Sequence, residues 1–254
     1  MIAPLEIVGA LAVGAAFGLL GGGGSILTVP IFVYAAGLDP KVAIAASLPV
    51  VALTSSSAAI AHWRLGNVQI RTALVFGASA AIGSFGGARL AVLISGAVQF
   101  SLLALLMLVA AARMLFSQTS SAAELQEREH IPYAILVPVA ITVGVMTGVV
   151  GIGGGFLIVP TLVLVCRMPM RFAVGTSLMV IAINAAAGAA GYAGKVAIPW
   201  MTVFLFSAIA ITGSLLASRL SKAVPTVLLR RGFGVLLIAL SALILFQNRH
   251  VFIL

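Results

Sequence analysis

The stretch Gly21 to Pro30, GGGGSILTVP, returns almost letter for letter at Gly151 to Pro160, GIGGGFLIVP. Each glycine gives up about 1 kcal/mol of helix propensity relative to alanine, so four nearly consecutive ones in an apolar segment mark a break. The first break falls inside a run, Ile2 to Ala36, whose single charge is Glu6. As one straight helix that run would reach about 52 Å, against a hydrocarbon core of about 30 Å. A chain built on such a pair has to interrupt a helix within a membrane, and to do so twice.

Composition leads to the bilayer by a separate route. Of 254 residues, 62% are hydrophobic and 7% charged, where a soluble domain carries about 25% charged. The net charge of +9 does not indicate nucleic acid, because the basic residues are spread between apolar segments and form no stripe. No basic region precedes the opening apolar residues and no cleavage context follows them, so they read as mature protein and not as a signal peptide. The single cysteine, Cys166, excludes an internal disulfide and a thiolate-rich metal site.

Between eight and ten hydrophobic segments follow one another, and the sizeable polar piece among them is SQTSSAAELQEREH, Ser117 to His130. It divides the chain into a first repeat, 1–116, an extramembrane linker, 117–131, and a second repeat, 132–254. A shift of 130 residues lays Gly14 on Gly144, Gly18 on Gly148, Gly24 on Gly154 and Pro30 on Pro160. The same shift carries Ser47-Leu48 onto Ser177-Leu178, Gly83-Ser84 onto Gly213-Ser214 and Arg89-Leu90 onto Arg219-Leu220; Gly66 meets Gly194 after a two-residue slip. The expected fold is therefore an all-α polytopic membrane protein of two pseudo-symmetric repeats with glycine-broken first helices.

Charge predicts how the repeats are disposed. With an odd number of crossings per repeat, either five or three plus a re-entrant pair, Lys41, Arg89, Lys195 and Arg249 share one side and the other ten basic residues the opposite one. Four crossings per repeat divide the charges almost evenly. The positive-inside rule thus favours inverted repeats with both termini outside.

The glycine run has two physical readings. In one, the chain unwinds at Gly21, Gly22, Gly23 and Gly24 and restarts as a short helix near Ser25, leaving unpaired N–H groups and a helix N-terminus that attract an anion. Gly151, Gly153, Gly154 and Gly155 form the second such segment. In the other, the glycines only let two backbones approach, which is the expected role of Gly14 with Gly18 and of Gly144 with Gly148. No Lys-Ser or Lys-Thr follows the run, so it is not a phosphate-binding P-loop. Pro30 and Pro160 are expected to end or bend the short second helix of each repeat, and Pro49 to kink the segment 42–61.

Few polar side chains are available at depth. Ser47 and Ser177 correspond, as do Thr54 and Asn184, and all four are candidate donors to an anion; the competing reading has the hydroxyls bonded to their own helix. Arg89 and Arg219 either draw anions into a vestibule or snorkel to head groups. The carboxylates, Glu6, Asp39, Glu124, Glu127 and Glu129, all lie in or near termini and loops, which leaves no ordinary sodium or divalent-cation site and favours a negative or neutral cargo. His62 beside Trp63 reads as an interfacial aromatic anchor. With no Ser-His-Asp set at one depth, no HExxH and no intramembrane carboxylate pair, the chain is not expected to be an enzyme, and no cofactor is indicated.

The paired motifs, Gly14-x-x-x-Gly18-x-x-Gly21-Gly-Gly-Gly-Ser-x-Leu-x-Val-Pro30 and Gly144-x-x-x-Gly148-x-x-Gly151-x-Gly-Gly-Gly-x-Leu-x-Val-Pro160, resemble those of the TauE/SafE membrane permeases. That resemblance covers almost the whole chain. It implies a multi-pass bacterial inner-membrane protein that moves sulfite or an organosulfur anion, often outward, with the glycine motifs, Ser47 and Ser177 along the substrate path. The expected partners are a small anion and the lipid bilayer, with no nucleic acid; a homodimer is compatible. A passive anion channel and a non-transporting scaffold are the alternatives.

Overall fold

The structure is a computed structural model, and it describes residues 4–116, 133–150 and 154–220 with scattered positions between 231 and 242. The linker 117–131, Gly151, Gly153 and most of the last apolar segment lie outside the described residues. The elements are α1 (Pro4–Leu20), α2 (Gly23–Tyr34), α3 (Pro40–Arg64), α4 (Ile70–Ala91), α5 (Gly96–Phe116), α6 (Tyr133–Val150), α7 (Gly155–Leu164), α8 (Met170–Tyr192) and α9 (Trp200–Leu220). This is an all-α polytopic membrane protein. Among the described residues, α3, α4, α8 and α9 are each long and apolar enough to cross a bilayer.

The local reasons for these boundaries lie in the sequence. Pro40 occupies the first turn of α3, where its missing N–H costs nothing. Gly66 takes φ +73° after α3 and Gly194 takes φ +70° after α8, so each of these turns uses a left-handed position. Pro30 and Pro160 do not end their helices, since α2 runs on to Tyr34 and α7 to Leu164, and α3 likewise continues through Pro49. The intrahelical bond that each proline removes is tolerated inside a packed membrane helix.

Small residues decide which helices meet. A Cβ on Gly14 would lie 2.0 Å from the carbonyl oxygen of Ala210 and one on Gly18 2.5 Å from that of Ser214, so α1 runs parallel to α9 with the backbones touching. On the other flank, Gly144 meets the Ala80 carbonyl at 2.1 Å and Gly148 that of Ser84 at 2.2 Å, so α6 runs parallel to α4. These are the same two contacts, repeated after a shift of 130 residues. Lipid offers no hydrophobic drive between helices, so this close approach is what supplies the attraction.

The centre is formed by α3 and α8, which pack on one another. Gln69 N–H, just past the end of α3, donates to Thr176 Oγ1 near the start of α8 at 3.0 Å, and Leu48 near the start of α3 lies against Gly188 near the end of α8. The two helices are therefore antiparallel. Turn bonds also recur: Ala36 N–H to Ile31 O and Leu38 N–H to Phe32 O after α2, then Cys166 N–H to Thr161 O and Met168 N–H to Leu162 O after α7.

Candidate functional site

The first glycine run is the tip of a hairpin. Gly24 on α2 faces Val13 and Phe17, and Ile31 faces Gly9, so α2 folds back antiparallel along α1. Gly21 makes the reversal with φ +72°, and Gly22 occupies the N-cap position of α2. The helix restarts at Gly23 and not near Ser25 as the sequence suggests, so Gly23 and Gly24 lie within its first turn. A glycine without its Cβ lets the Phe17 ring cover that turn, with only 2.2 Å between the ring and the place a Gly24 Cβ would occupy.

In the second copy Gly154 takes the left-handed conformation, φ 84°, as the N-cap of α7. A Cβ there would meet the side chain of Thr147 at 2.5 Å, so Thr147 stands where the first copy has Phe17. Gly154 O closes the first turn of α7 by accepting from Leu157 and Ile158.

The two tips touch. A Cβ on Gly22 would be 2.0 Å from Gly155 O, and one on Gly155 would be 2.5 Å from Gly22 Cα and 2.8 Å from Ser25 Oγ. Gly21 lies against Val174 and Ser177 of α8, with Ser177 Oγ 3.0 Å from its missing Cβ. From this junction α2 leads to the start of α3 and α7 to the start of α8, at opposite ends of the antiparallel pair. Twelve residues of α2 and ten of α7 span about 18 and 15 Å, which together match an apolar layer of about 30 Å. The junction lies between the two ends of the α3–α8 pair.

Both helices thus aim their N-termini at one point, and neither has a side-chain cap or a first-turn acidic residue. Each terminus presents orphan N–H groups and roughly half a positive charge. The hydroxyls predicted to help are engaged, Ser25 and Ser177 beside the junction and Ser47 on α3: Ser25 donates to Gly22 O, Ser47 to Ile44 O and Ser177 to Val174 O, each at 2.8 Å. Thr54 is fully buried on α3, and its Oγ1 has no hydrogen-bond partner among the described residues. Asn184 is equally buried and donates through Nδ2 to Thr147 Oγ1 at 2.8 Å, which in turn donates to Gly144 O at 2.9 Å. Asn184 is in this way tied to the residue beneath Gly154.

The exposed Arg89, Arg219 and Trp63 stand away from the junction. Arg89 is exposed and lies over the exposed Phe85 ring at 5.3 Å, and Arg219 is exposed at the matching end of α9. Trp63 faces outward, while its neighbour His62 is buried and bonded through Nε2 to Gly18 O at 3.1 Å, so the two do not form the expected aromatic anchor. A groove of about 330 Å³, lined by Ser56, Ile60, Trp63, Ile70, Met179 and Ile183, is apolar and opens on the flank of the molecule. Burial pushes the Cys166 thiol, in the turn after α7, up to about 11, so it is not a thiolate near neutrality. Among the described residues no three His, Cys, Asp or Glu side chains gather to hold a metal.

Phe17, Thr147 and His62, which support the two tips, carry no motif; the signal that would point to Phe17 and Thr147 is their position seven residues before Gly24 and Gly154. Folded in this way, the chain is a multi-pass helical membrane protein in which the N-termini of two short helices meet, the class of architecture used by transport proteins. The comparisons give the family: residues 6–244 match the model described as sulfite exporter TauE/SafE, and the chain belongs to that family. It is 36% identical over 246 residues to a "Probable membrane transporter protein" of Xylella fastidiosa, covering 93% of this chain and 92% of the relative. It is 27% identical over 219 residues to the "Probable membrane transporter protein YdhB" of Bacillus subtilis, covering 85% and 89%. No solved structure matches. The chain is a membrane transport protein and not an enzyme.

Proposed function

We propose that the protein is a secondary permease that moves a small anion, sulfite or an organosulfur anion, outward across the bacterial inner membrane. The observation that carries this reading is the meeting of the uncapped N-termini of α2 and α7 at Gly22 and Gly155. Two like partial charges facing each other in hydrocarbon repel, and an anion between them replaces that repulsion with two attractions. The family description, sulfite exporter, supports the sulfur chemistry. An inside-negative potential favours outward movement by about 2.3 kcal/mol per charge per 100 mV.

In this reading the repeats are inverted. Its support is that α1 runs with α9, α6 with α4, and α3 against α8, which places α1 and α6 in opposite directions. Each repeat then contributes one re-entrant hairpin and three crossings, and the hairpins enter from opposite faces. Rocking one repeat against the other parts Gly22 from Gly155 and admits the anion. Gly21 to Ser25 cradle it from one face, and Gly151, Gly153, Gly154 and Gly155 from the other. The hydroxyls of Ser25, Ser47 and Ser177 turn from their carbonyls to the cargo, with Thr54 and Asn184 behind them.

The test is uptake of labelled sulfite, sulfoacetate, sulfate and a neutral thiol into proteoliposomes at two imposed membrane potentials. Saturable, potential-dependent flux of a sulfur anion with counterflow is expected; flux without counterflow indicates a channel. Gly22→Ala puts a methyl against the Gly155 backbone and should reduce flux to that of empty liposomes. The exposed Gly86→Ala, with nothing within 4 Å, should leave it unchanged. Wild-type flux through Gly22→Ala would sink the cradle.

A further inference from the structure

Near the end of the first helix of each hairpin, a buried side chain bonds a backbone carbonyl. In the first, the Gly18 carbonyl is met by His62 Nε2 of α3 at 3.1 Å. In the second, the Val149 carbonyl accepts from Gln99 Nε2 of α5 at 2.7 Å, and Gln99 Nε2 also donates to the Tyr192 hydroxyl at 3.1 Å. Tyr192 is the residue that the 130-residue shift lays on His62. The two supports therefore occupy matching places and differ in chemistry: one is an imidazole, the other an amide and a phenol.

A carbonyl only accepts, so His62 Nε2 carries the hydrogen and Nδ1 carries the bare lone pair. The ring is 2% exposed, and Nδ1 has no hydrogen-bond partner among the described residues. A basic nitrogen is thus held, buried and unengaged, beside the last turn of α1, three residues before the reversal at Gly21.

The charges around this end are of one sign. Arg64 follows on the same helix, Arg171 at the start of α8 acts electrostatically on the ring, Arg71 opens α4 and Arg219 closes α9. The described carboxylates, Glu6 and Asp39, lie at the opposite end, on the first turn of α1 and just before α3. A proton on His62 has no described carboxylate to pair with. An anion at the glycine junction, which begins four residues past Gly18 in the chain, supplies the missing negative charge.

We infer that His62 is a proton site linked to anion binding, taking up one proton at Nδ1 when an anion occupies the junction of Gly22 and Gly155. The inference rests on the anion cradle proposed above and adds a coupling ion to it. The proton comes from water, forms the Nδ1–H bond and leaves with the anion when the junction opens. Linkage is reciprocal: if the anion promotes protonation, lower pH tightens the anion.

The experiment measures sulfoacetate affinity of the full-length protein in nanodiscs at pH 6 and pH 8, a range over which sulfoacetate keeps both charges, together with the protons taken up per anion bound. Wild type is expected to bind at least about tenfold tighter at pH 6 and to take up close to one proton. His62→Gln keeps a donor for Gly18 and should bind with an affinity that no longer follows pH. In a His130→Gln, His250→Gln background, where His62 is the sole histidine, ring-nitrogen NMR at pH 7 should show a bare Nδ1 that becomes protonated on adding sulfoacetate. This spectroscopic arm stands even if His62→Gln fails to fold. Binding with no pH dependence, the same dependence in His62→Gln, or an Nδ1 signal indifferent to sulfoacetate overturns the proton site and leaves the cradle standing. No binding of sulfoacetate, sulfite or sulfate at either pH overturns the cradle, and the proton site with it.

Discussion

Thr54 and Asn184 stand 130 residues apart in the sequence and are both fully buried, yet they do different work. Asn184 donates to Thr147, which packs beneath Gly154, whereas the Thr54 hydroxyl finds no partner among the described residues. A buried hydroxyl without a partner costs about 1–3 kcal/mol, and replacing it by an apolar isostere is close to neutral or stabilising. Thr54→Val is therefore expected to unfold at the same temperature or higher and, if the proposed anion path is right, to bind the anion several-fold more weakly. Thermal unfolding and a substrate titration read the two effects separately, and unchanged affinity would remove Thr54 from the path. Asn184→Ala leaves the Thr147 hydroxyl without its donor and is expected to destabilise the second hairpin by about 1–3 kcal/mol, seen as a lower unfolding temperature. The correspondence of this pair was legible in the sequence. Its division of labour was not, because it depends on whether phenylalanine or threonine precedes the glycine run, a difference that acts only once the hairpin has closed.

At the scale of the element, helix pairing rests on glycines whose missing Cβ admits a carbonyl. Gly14 and Gly144 come within 2.0 and 2.1 Å of backbone oxygens in this sense, so a side chain there has to push two helices apart. Gly14→Leu should cost about 3 kcal/mol or more and lower the unfolding midpoint by roughly 6–12 °C, while Gly86→Leu should do little. A Gly14→Leu protein as stable as wild type would show that α1 and α9 do not pack as described. The glycine spacing foretold a packing role for Gly14 and Gly18 but not the partner. Arg167 shows the same limit: it takes φ 47° after α7 where Gly37 takes φ +65° after α2, and its residue type alone gives no hint of a left-handed turn.

For the whole molecule, the decisive prediction concerns sides. Asp39 and Lys195 belong to one end of the α3–α8 pair, Arg64 and Arg171 to the other. If the repeats are inverted with both termini outside, Asp39→Cys and Lys195→Cys react with a membrane-impermeant maleimide in intact cells. Arg64→Cys and Arg171→Cys should react only after permeabilisation. Native Cys166 labels slowly near neutrality, since its thiol, pushed up to about 11, yields about tenfold more thiolate for each pH unit gained below that value. Labelling of all four cysteines from one side would refute the inverted arrangement.

The amino-acid sequence by itself determined that the chain is helical and lies in a membrane, where its helices are interrupted, and that the interruptions come as a pair. These properties follow from local causes: apolar length against bilayer thickness, the low helix propensity of consecutive glycines, and identities at one constant offset. Only the tertiary structure decided that the first interruption is a hairpin tip, that Gly22 meets Gly155, that α1 pairs with α9, and that His62 turns inward to Gly18 while Trp63 stays outside. Each of those outcomes joins residues far apart in the chain. They are set by which small surfaces let backbones touch and which buried carbonyls still need a donor, and neither is expressed in any stretch read alone.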